Sequence, residues 1–137
     1  MKRLFAVLSL LMALSATAIA QNLFSSSNKG EFPELTLSSG APIADVETVT
    51  LESGKRYEME ITADGSAELA VSGAAFFRAI WINEIVINGI EIRPLGVDSI
   101  EFDEEGTAEI EFIAIRPGQY EFGVAGRGYQ TLKIIIE

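Results

Sequence analysis

Residues 108–124, which read AEIEFIAIRPGQYEFGV, decide the fold class of this chain. Two runs of alternating apolar and other residues flank the turn signal Arg116-Pro117-Gly118. Side chains of a β-strand point alternately to its two faces, so each run predicts a strand with one buried and one wet face. The apolar members of the two runs are Ala108, Ile110, Phe112, Tyr120, Phe122 and Val124.

The same two-residue period recurs along the chain, for example over residues 57–61 and 100–102. Turn signals separate the runs. Asn88-Gly89 between two isoleucine-rich runs is a strong hairpin signal, and Asp64-Gly65 is a second one. Short strands with such turns are typical of a sandwich or barrel. The sequence therefore predicts an all-β domain, with a possible helical turn near residues 74–78.

The first twenty residues have the pattern of a secretory signal peptide. Two cations, Lys2 and Arg3, precede a short apolar run, and small residues ending in Ala20 follow it. The apolar run is shorter than the ~20 residues that span a bilayer. We expect residues 1–20 to be a signal peptide, residues 21–34 a flexible leader rich in serine, and residues 35–137 the folded domain.

The charge of the expected mature chain limits its partners. All 20 acidic residues lie beyond residue 20, as do eight of the ten basic ones, so the formal net charge there is −12. Nucleic acid and anionic lipid are recognised by clustered lysine and arginine, and a surface this acidic repels them. A basic protein partner is compatible with it, and so is a purely solubilising role.

The composition also removes several chemistries. The chain has no cysteine and no histidine. Disulfides, thiolate metal sites, Ser-His-Asp triads and Cys-His pairs are therefore impossible. The glutamates alternate along strands, which indicates a solvated face, and no local motif supports a Ser-Lys arrangement. We expect no enzymatic activity and no cofactor.

Carboxylates remain as possible ligands for hard cations, which require clustered oxygen atoms. The densest acidic stretch lacks the spacing of a calcium loop, and a wet turn is the simpler interpretation. Its members, kept as weak metal candidates, are Asp98, Glu101, Asp103, Glu104 and Glu105.

The C-terminal third resembles the end of cupredoxins, the blue-copper proteins and their relatives. The residues that carry this resemblance are 112–124, the glycine-rich loop 125–129 and the apolar run Leu132–Ile136. The segment Val49–Tyr57 is similar to an earlier strand, glycine turn and strand of that family. The resemblance extends from near Val46 to Glu137. It implies a Greek-key β-sandwich of about eight strands.

The ligands of the family are missing. A type 1 copper site needs a thiolate, two imidazoles and a weak axial methionine. By the resemblance, Val124 stands at the cysteine position, Tyr129 near the axial position and Glu68 near an upstream histidine position. Arg127 lies between two glycines in the same loop, so we mark Arg127 and Tyr129 as a possible interaction loop.

These observations predict an exported, non-catalytic, cupredoxin-like interaction module without a type 1 copper site. Its expected location is the periplasm or exterior of a bacterium, with a possible protein partner in the cell envelope and no membrane span after signal removal. The alternative is weak cation binding or metal handling by surface carboxylates. The partner, the oligomeric state and the pathway stay open at this point.

Overall fold

A computed structural model describes residues 22–137, and the predicted signal peptide lies outside them. Ten strands form two mixed five-stranded sheets that pack as a sandwich. The strands are β1 (Leu35–Leu37), β2 (Thr48–Leu51), β3 (Arg56–Ala63), β4 (Leu69–Ser72), β5 (Ile80–Ile87), β6 (Ile90–Ile92), β7 (Ser99–Phe102), β8 (Gly106–Ala114), β9 (Gly118–Val124) and β10 (Thr131–Ile136). The all-β sandwich prediction is confirmed, with ten strands rather than about eight because several are only three or four residues long.

Sheet A has the strand order β1-β3-β8-β5-β6, and sheet B has the order β2-β10-β9-β4-β7. Most neighbours are antiparallel. The two exceptions are the parallel pairs β1·β3 and β10·β2, each at one edge of its sheet. Within sheet B, β9 lies between β10 and β4, so the end of β9 is held on both sides.

The predicted alternation places the core between the sheets. On β3 and β8 the buried residues alternate with glutamates, and their registers match: Met59 lies opposite Ile110 and Tyr57 opposite Phe112. Met59 is fully buried. Glu58 and Glu111 lie opposite each other on the outer face. Most acidic residues of the strands are thus surface positions, as the period-two pattern predicts.

The short helix α1 (Ala74–Phe77) confirms the predicted helical turn. It connects β4 in sheet B to β5 in sheet A. Its Phe76 ring is fully buried and lies 5.7 Å from the Phe112 ring of sheet A and 5.9 Å from the Phe122 ring of sheet B. Edge-to-face aromatic contacts of this kind join the two sheets across the core.

Only one of the two predicted hairpins forms. Asn88 and Gly89 have φ values of 50° and 76° and close the β5-β6 hairpin, as the two-residue turn requires. Asp64-Gly65 does not make a hairpin: β3 pairs with β8, while β4 pairs with β7 and β9 in the other sheet. The hairpin prediction at Asp64-Gly65 is wrong because this turn carries the chain from one sheet to the other.

The flexible leader was predicted over residues 21–34, of which residues 22–34 are described, and these contact the domain along their length. Asn28 is buried and donates from Nδ2 to the carbonyl oxygens of Leu23 and Gly54, at 2.9 and 3.0 Å. The Phe24 ring lies edge-on at 5.3 Å from Trp81, the only tryptophan, on the outside of sheet A. This segment therefore covers part of a sheet. Among residues 22–137 no helix is both long and apolar enough to cross a membrane.

Candidate functional site

The connection between β9 and β10, residues 125–130, is a compact loop closed by its own main chain. The Arg127 N–H donates to the Val124 oxygen at 3.1 Å, and the Gln130 N–H donates to the Arg127 oxygen at 2.9 Å. A 3₁₀ turn spans Gly128–Gln130. Gly126 has φ of 75°, a left-handed conformation that glycine adopts without the usual Cβ penalty. We call residues 125–130 the β9-β10 loop.

Gln130 anchors this loop to the sandwich. Its side chain is fully buried, and Nε2 donates to the Ser38 carbonyl oxygen at 2.8 Å. The Arg127 guanidinium donates to Gln130 Oε1 at 3.4 Å. A buried amide must find partners for both its donor and its acceptor, because an unpaired polar group in the interior is costly. The loop is therefore fixed to the β1-β2 connection, 92 residues away in sequence.

Gly123 allows this approach. A Cβ atom at Gly123 would lie 2.0 Å from the Gln130 carbonyl oxygen and 2.7 Å from the Thr131 Cα. Both of these are main-chain atoms, so a side chain could fit only if the loop moved. The glycine at position 123, within the alternating run Tyr120–Val124, is thus explained by the close approach of the loop.

The anchoring connection is itself held by polar groups. The Ser39 N–H donates to Ser66 Oγ at 2.8 Å, and the Ser66 N–H donates to Asp64 Oδ1 at 2.8 Å. Hydrogen bonds from Ser38 and then from Ser66 lower the pKa of Asp64, because they favour the charged carboxylate. The Asp64-Gly65 turn thus supports the segment that receives Gln130.

Two large side chains of the loop are at least partly accessible to solvent. Tyr129 is 51% exposed, and Arg127 is half-buried. Beside Tyr129 a groove of about 520 Å³ runs along residues 42–47 of the β1-β2 connection. Its rim carries the exposed Val46 and the carboxylates Asp45 and Glu47. The site therefore combines an exposed aromatic ring, an apolar wall and negative charge.

The structure brings only two of the five predicted metal candidates together. Glu101 and Asp103 lie with Glu68 in a cluster whose carboxylate oxygens are all within 4.8 Å of one another. The antiparallel register of β4 and β7 explains this cluster. Leu69 of β4 lies opposite Phe102 of β7, so Glu68 lies beside Asp103. Asp98, Glu104 and Glu105 are outside this cluster. All three clustered residues are exposed, as acidic surface groups commonly are.

A second polar group lies on the outer face of sheet A. Arg56 donates to Glu111 Oε2 at 2.6 Å, and Asn83 donates to Glu111 Oε1 at 2.7 Å. The Arg56 and Glu111 side chains are each 18% exposed. Arg93 joins this group by donating to Asn83 Oδ1 at 3.2 Å, and it also pairs with Glu84 at 3.0 Å. This arrangement neutralises part of a face on which glutamates stand opposite each other in neighbouring strands.

Comparison with protein-family models and with curated proteins finds no match. Solved structures do match. A multicopper oxidase from Pseudomonas thermotolerans aligns with 90% of this chain and 33% of its own, at 16% identity and a TM-score of 0.56. This chain has a cupredoxin-like fold. A copper nitrite reductase from Nitrosomonas europaea aligns with 67% of this chain and 33% of its own, at 12% identity and a TM-score of 0.53. A blue copper oxidase from the same organism aligns with 67% of this chain and 31% of its own, at 8% identity and a TM-score of 0.52. The cupredoxin-like chain thus spans about a third of these proteins.

The residues of this cupredoxin-like chain do not fit a type 1 copper ion. No cysteine and no histidine exist anywhere in the sequence, so neither thiolate nor imidazole is available. Val124, at the cysteine position of the resemblance, is buried and lies opposite Val71 of β4. Carboxylates and a phenol do not replace the soft donor set of that site. We therefore derive no copper chemistry for this protein.

Sequence reasoning found Arg127 and Tyr129 in the loop but missed Gln130, and it named Glu68 only at a histidine position of the resemblance, not among the metal candidates. Nothing local distinguishes the buried Gln130 from the exposed Gln119 earlier on β9. Glu68 joins Glu101 and Asp103 only through the pairing of β4 with β7. Both omissions reflect contacts between segments that are distant in sequence.

Proposed function

We propose that this protein is an exported, non-catalytic, cupredoxin-like module that binds another protein through the β9-β10 loop. One observation carries the proposal. The loop that corresponds by resemblance to the copper-ligand loop has no ligands and instead presents Tyr129 on an anchored main chain.

The chemistry of this surface suits protein recognition. Tyrosine and arginine are enriched at interface centres. The tyrosine ring provides a large contact area with few rotatable bonds. Anchoring through Gln130 reduces the ordering cost of binding, since the loop is already held in one conformation. The apolar wall at Val46 offers a neighbouring contact for a partner side chain.

The charge around the loop indicates the character of the partner. Asp45 and Glu47 border the Tyr129 groove, and the expected mature chain has a net charge of −12. Complementary potentials speed association and disfavour wrong partners. A partner segment that combines an apolar side chain with flanking lysine or arginine fits this surface best. The signal-peptide pattern of residues 1–20 supports placing that partner in the envelope or outside the cell.

Site-specific photo-cross-linking in the cells that make the protein tests this proposal. A photoreactive phenylalanine analogue replaces Tyr129, and the same analogue at Ile115 serves as the matched control. Ile115 is 49% exposed and follows β8, at the opposite end of β9 from the loop. We expect one discrete protein adduct from position 129 that is absent from position 115. Identical adduct patterns at both positions would count against a binding surface at the loop.

Weak cation binding is the second candidate, favoured by the convergence of Glu68, Glu101 and Asp103. Isothermal titration with copper, iron, calcium and manganese tests it. Extracellular carboxylate sites bind calcium with dissociation constants of roughly 0.1–1 mM. Binding in that range that Glu101→Gln abolishes and Glu104→Gln leaves intact would support this function. Affinities weaker than about 1 mM for all four ions would reject it.

A further inference from the structure

Strand β2 is an open edge of sheet B. It pairs on one side with β10, and no strand among residues 22–137 lies on the other side. In this parallel pair, Lys133 N–H donates to the Glu47 oxygen and Glu137 N–H donates to the Leu51 oxygen, both at 2.9 Å. Main-chain groups of a strand alternate in direction, so the groups of Thr48 and Thr50 point away from β10.

The other edges of the described sandwich are covered or charged. The Ile43 oxygen accepts from the Thr36 N–H on the open side of β1, at 2.8 Å. Strand β6 carries Glu91, paired with Arg93 at 3.3 Å, and β7 carries Glu101. Charges and covering segments are the usual protection of sheet edges against pairing. By contrast, β2 reads Thr-Val-Thr-Leu, without charge or proline.

We propose that β2 is a homodimer interface, at which a second copy of this chain adds its own β2 antiparallel about a two-fold axis. Outward-pointing groups must meet outward-pointing groups, and the register that uses both threonines of each copy sets Thr48 opposite Thr50 of the second copy, and Thr50 opposite Thr48. This register forms four main-chain hydrogen bonds and joins the two B sheets into one ten-stranded sheet. Val49 then lies on the axis opposite its own copy.

The strand itself favours a second copy over an unrelated segment. The two-fold register places threonine opposite threonine and valine opposite valine, pairs that stabilise neighbouring strands. An isologous interface requires this self-complementarity. Thr48 and Thr50 are exposed, and Val49 is only half-buried, so all three are accessible. No charged residue lies within the paired strand, although the whole molecules repel each other through their net negative charge.

Sedimentation of the mature protein from about 10 µM to about 1 mM tests the interface, in about 0.05 M and about 0.5 M NaCl. Small interfaces of this kind are weak, so we expect a reversible monomer–dimer equilibrium within that range. Higher salt should favour the dimer because it screens the repulsion between the two acidic copies. A protein that stays monomeric at the highest protein concentration and at both NaCl concentrations would overturn the proposal. The edge of β2 would then be open for pairing with a different polypeptide.

A proline variant locates the interface. Thr50→Pro removes an N–H that faces outward, so the ladder to β10 keeps its bonds. Each dimer loses two hydrogen bonds, and we expect the dissociation constant to rise on the order of tenfold or more. Glu91→Pro on the β6 edge is the control and should leave dimerisation unchanged. A dimer that resists Thr50→Pro contradicts the proposed interface.

Amide hydrogen exchange of the wild-type protein gives an answer that does not depend on the variants folding. We expect the exchange of the Thr48 and Thr50 amides to slow as protein concentration rises, while that of the Glu91 amide does not change. Concentration-independent exchange at both threonines would contradict β2 pairing.

Discussion

The substitution Gln130→Ala tests whether a buried amide holds the β9-β10 loop. The change removes a fully buried side chain, its 2.8 Å hydrogen bond to the Ser38 oxygen and its longer bond from Arg127. A net hydrogen bond contributes about 1 kcal/mol, and a buried group left unpaired costs about 1–3 kcal/mol. The space vacated by the amide adds a cavity term. Together these effects predict a loss of about 2–4 kcal/mol in the free energy of unfolding.

Urea denaturation followed by circular dichroism measures this loss. The midpoint should fall while the slope with denaturant stays constant, because the surface exposed on unfolding hardly changes. The matched control is Gln119→Ala, which truncates an exposed glutamine on β9 and should change stability by less than about 0.5 kcal/mol. Equal, small effects at both positions would refute the anchoring role of Gln130. Faster amide exchange in the loop of Gln130→Ala, before global unfolding, is the expected accompanying result.

Three other perturbations test separate parts of the structure. Gly123→Ala should lower the free energy of unfolding by about 1–3 kcal/mol or more, because its Cβ would lie 2.0 Å from a carbonyl oxygen. The control Gly106→Ala, which has open space around it, should leave the same urea transition nearly unchanged. Glu111→Ala leaves the largely buried Arg56 without its partner and should lower the free energy of unfolding by about 1–3 kcal/mol. Glu52→Ala, which removes an exposed ion pair, should lower it by less than about 1 kcal/mol. Equal losses for the two variants would contradict this contrast. An NMR titration should give the Asp64 carboxyl a pKa below its ordinary 3.8. The stabilising contribution of the carboxylate is therefore present above the unfolded pKa and is lost as the pH falls through the lower folded pKa. A measured pKa at or above 3.8 would show that the serine hydrogen bonds to Asp64 do not form.

The period-two pattern was sufficient to predict strands β3, β7, β8 and β9 and the core residues that lie on them. Met59, Ile110 and Phe112 are buried where the alternation places them, and the glutamates between them are on the outer face. Local rules work here because the direction of a side chain along a strand depends only on its position. The Asn88-Gly89 hairpin followed for the same reason, since its turn depends on two residues.

Long-range contacts were not predictable in this way. Asp64-Gly65 has the sequence of a hairpin turn, yet it connects the two sheets, because strand pairing is decided by packing across the sandwich. The anchoring role of Gln130 depends on the Ser38 carbonyl oxygen, which lies 92 residues away in sequence. The carboxylate cluster likewise depends on the neighbouring positions of β4 and β7.

We propose that the β9-β10 loop, which lacks the copper ligands of this fold, is a pre-formed binding surface rather than a mobile connection. Backbone ¹⁵N relaxation of residues 125–130 tests it most directly. The anchoring by Gln130 predicts order parameters near those of the flanking strands, about 0.8 or higher. Values below about 0.6 across the loop would show that it is flexible on the fast timescale and would contradict the account.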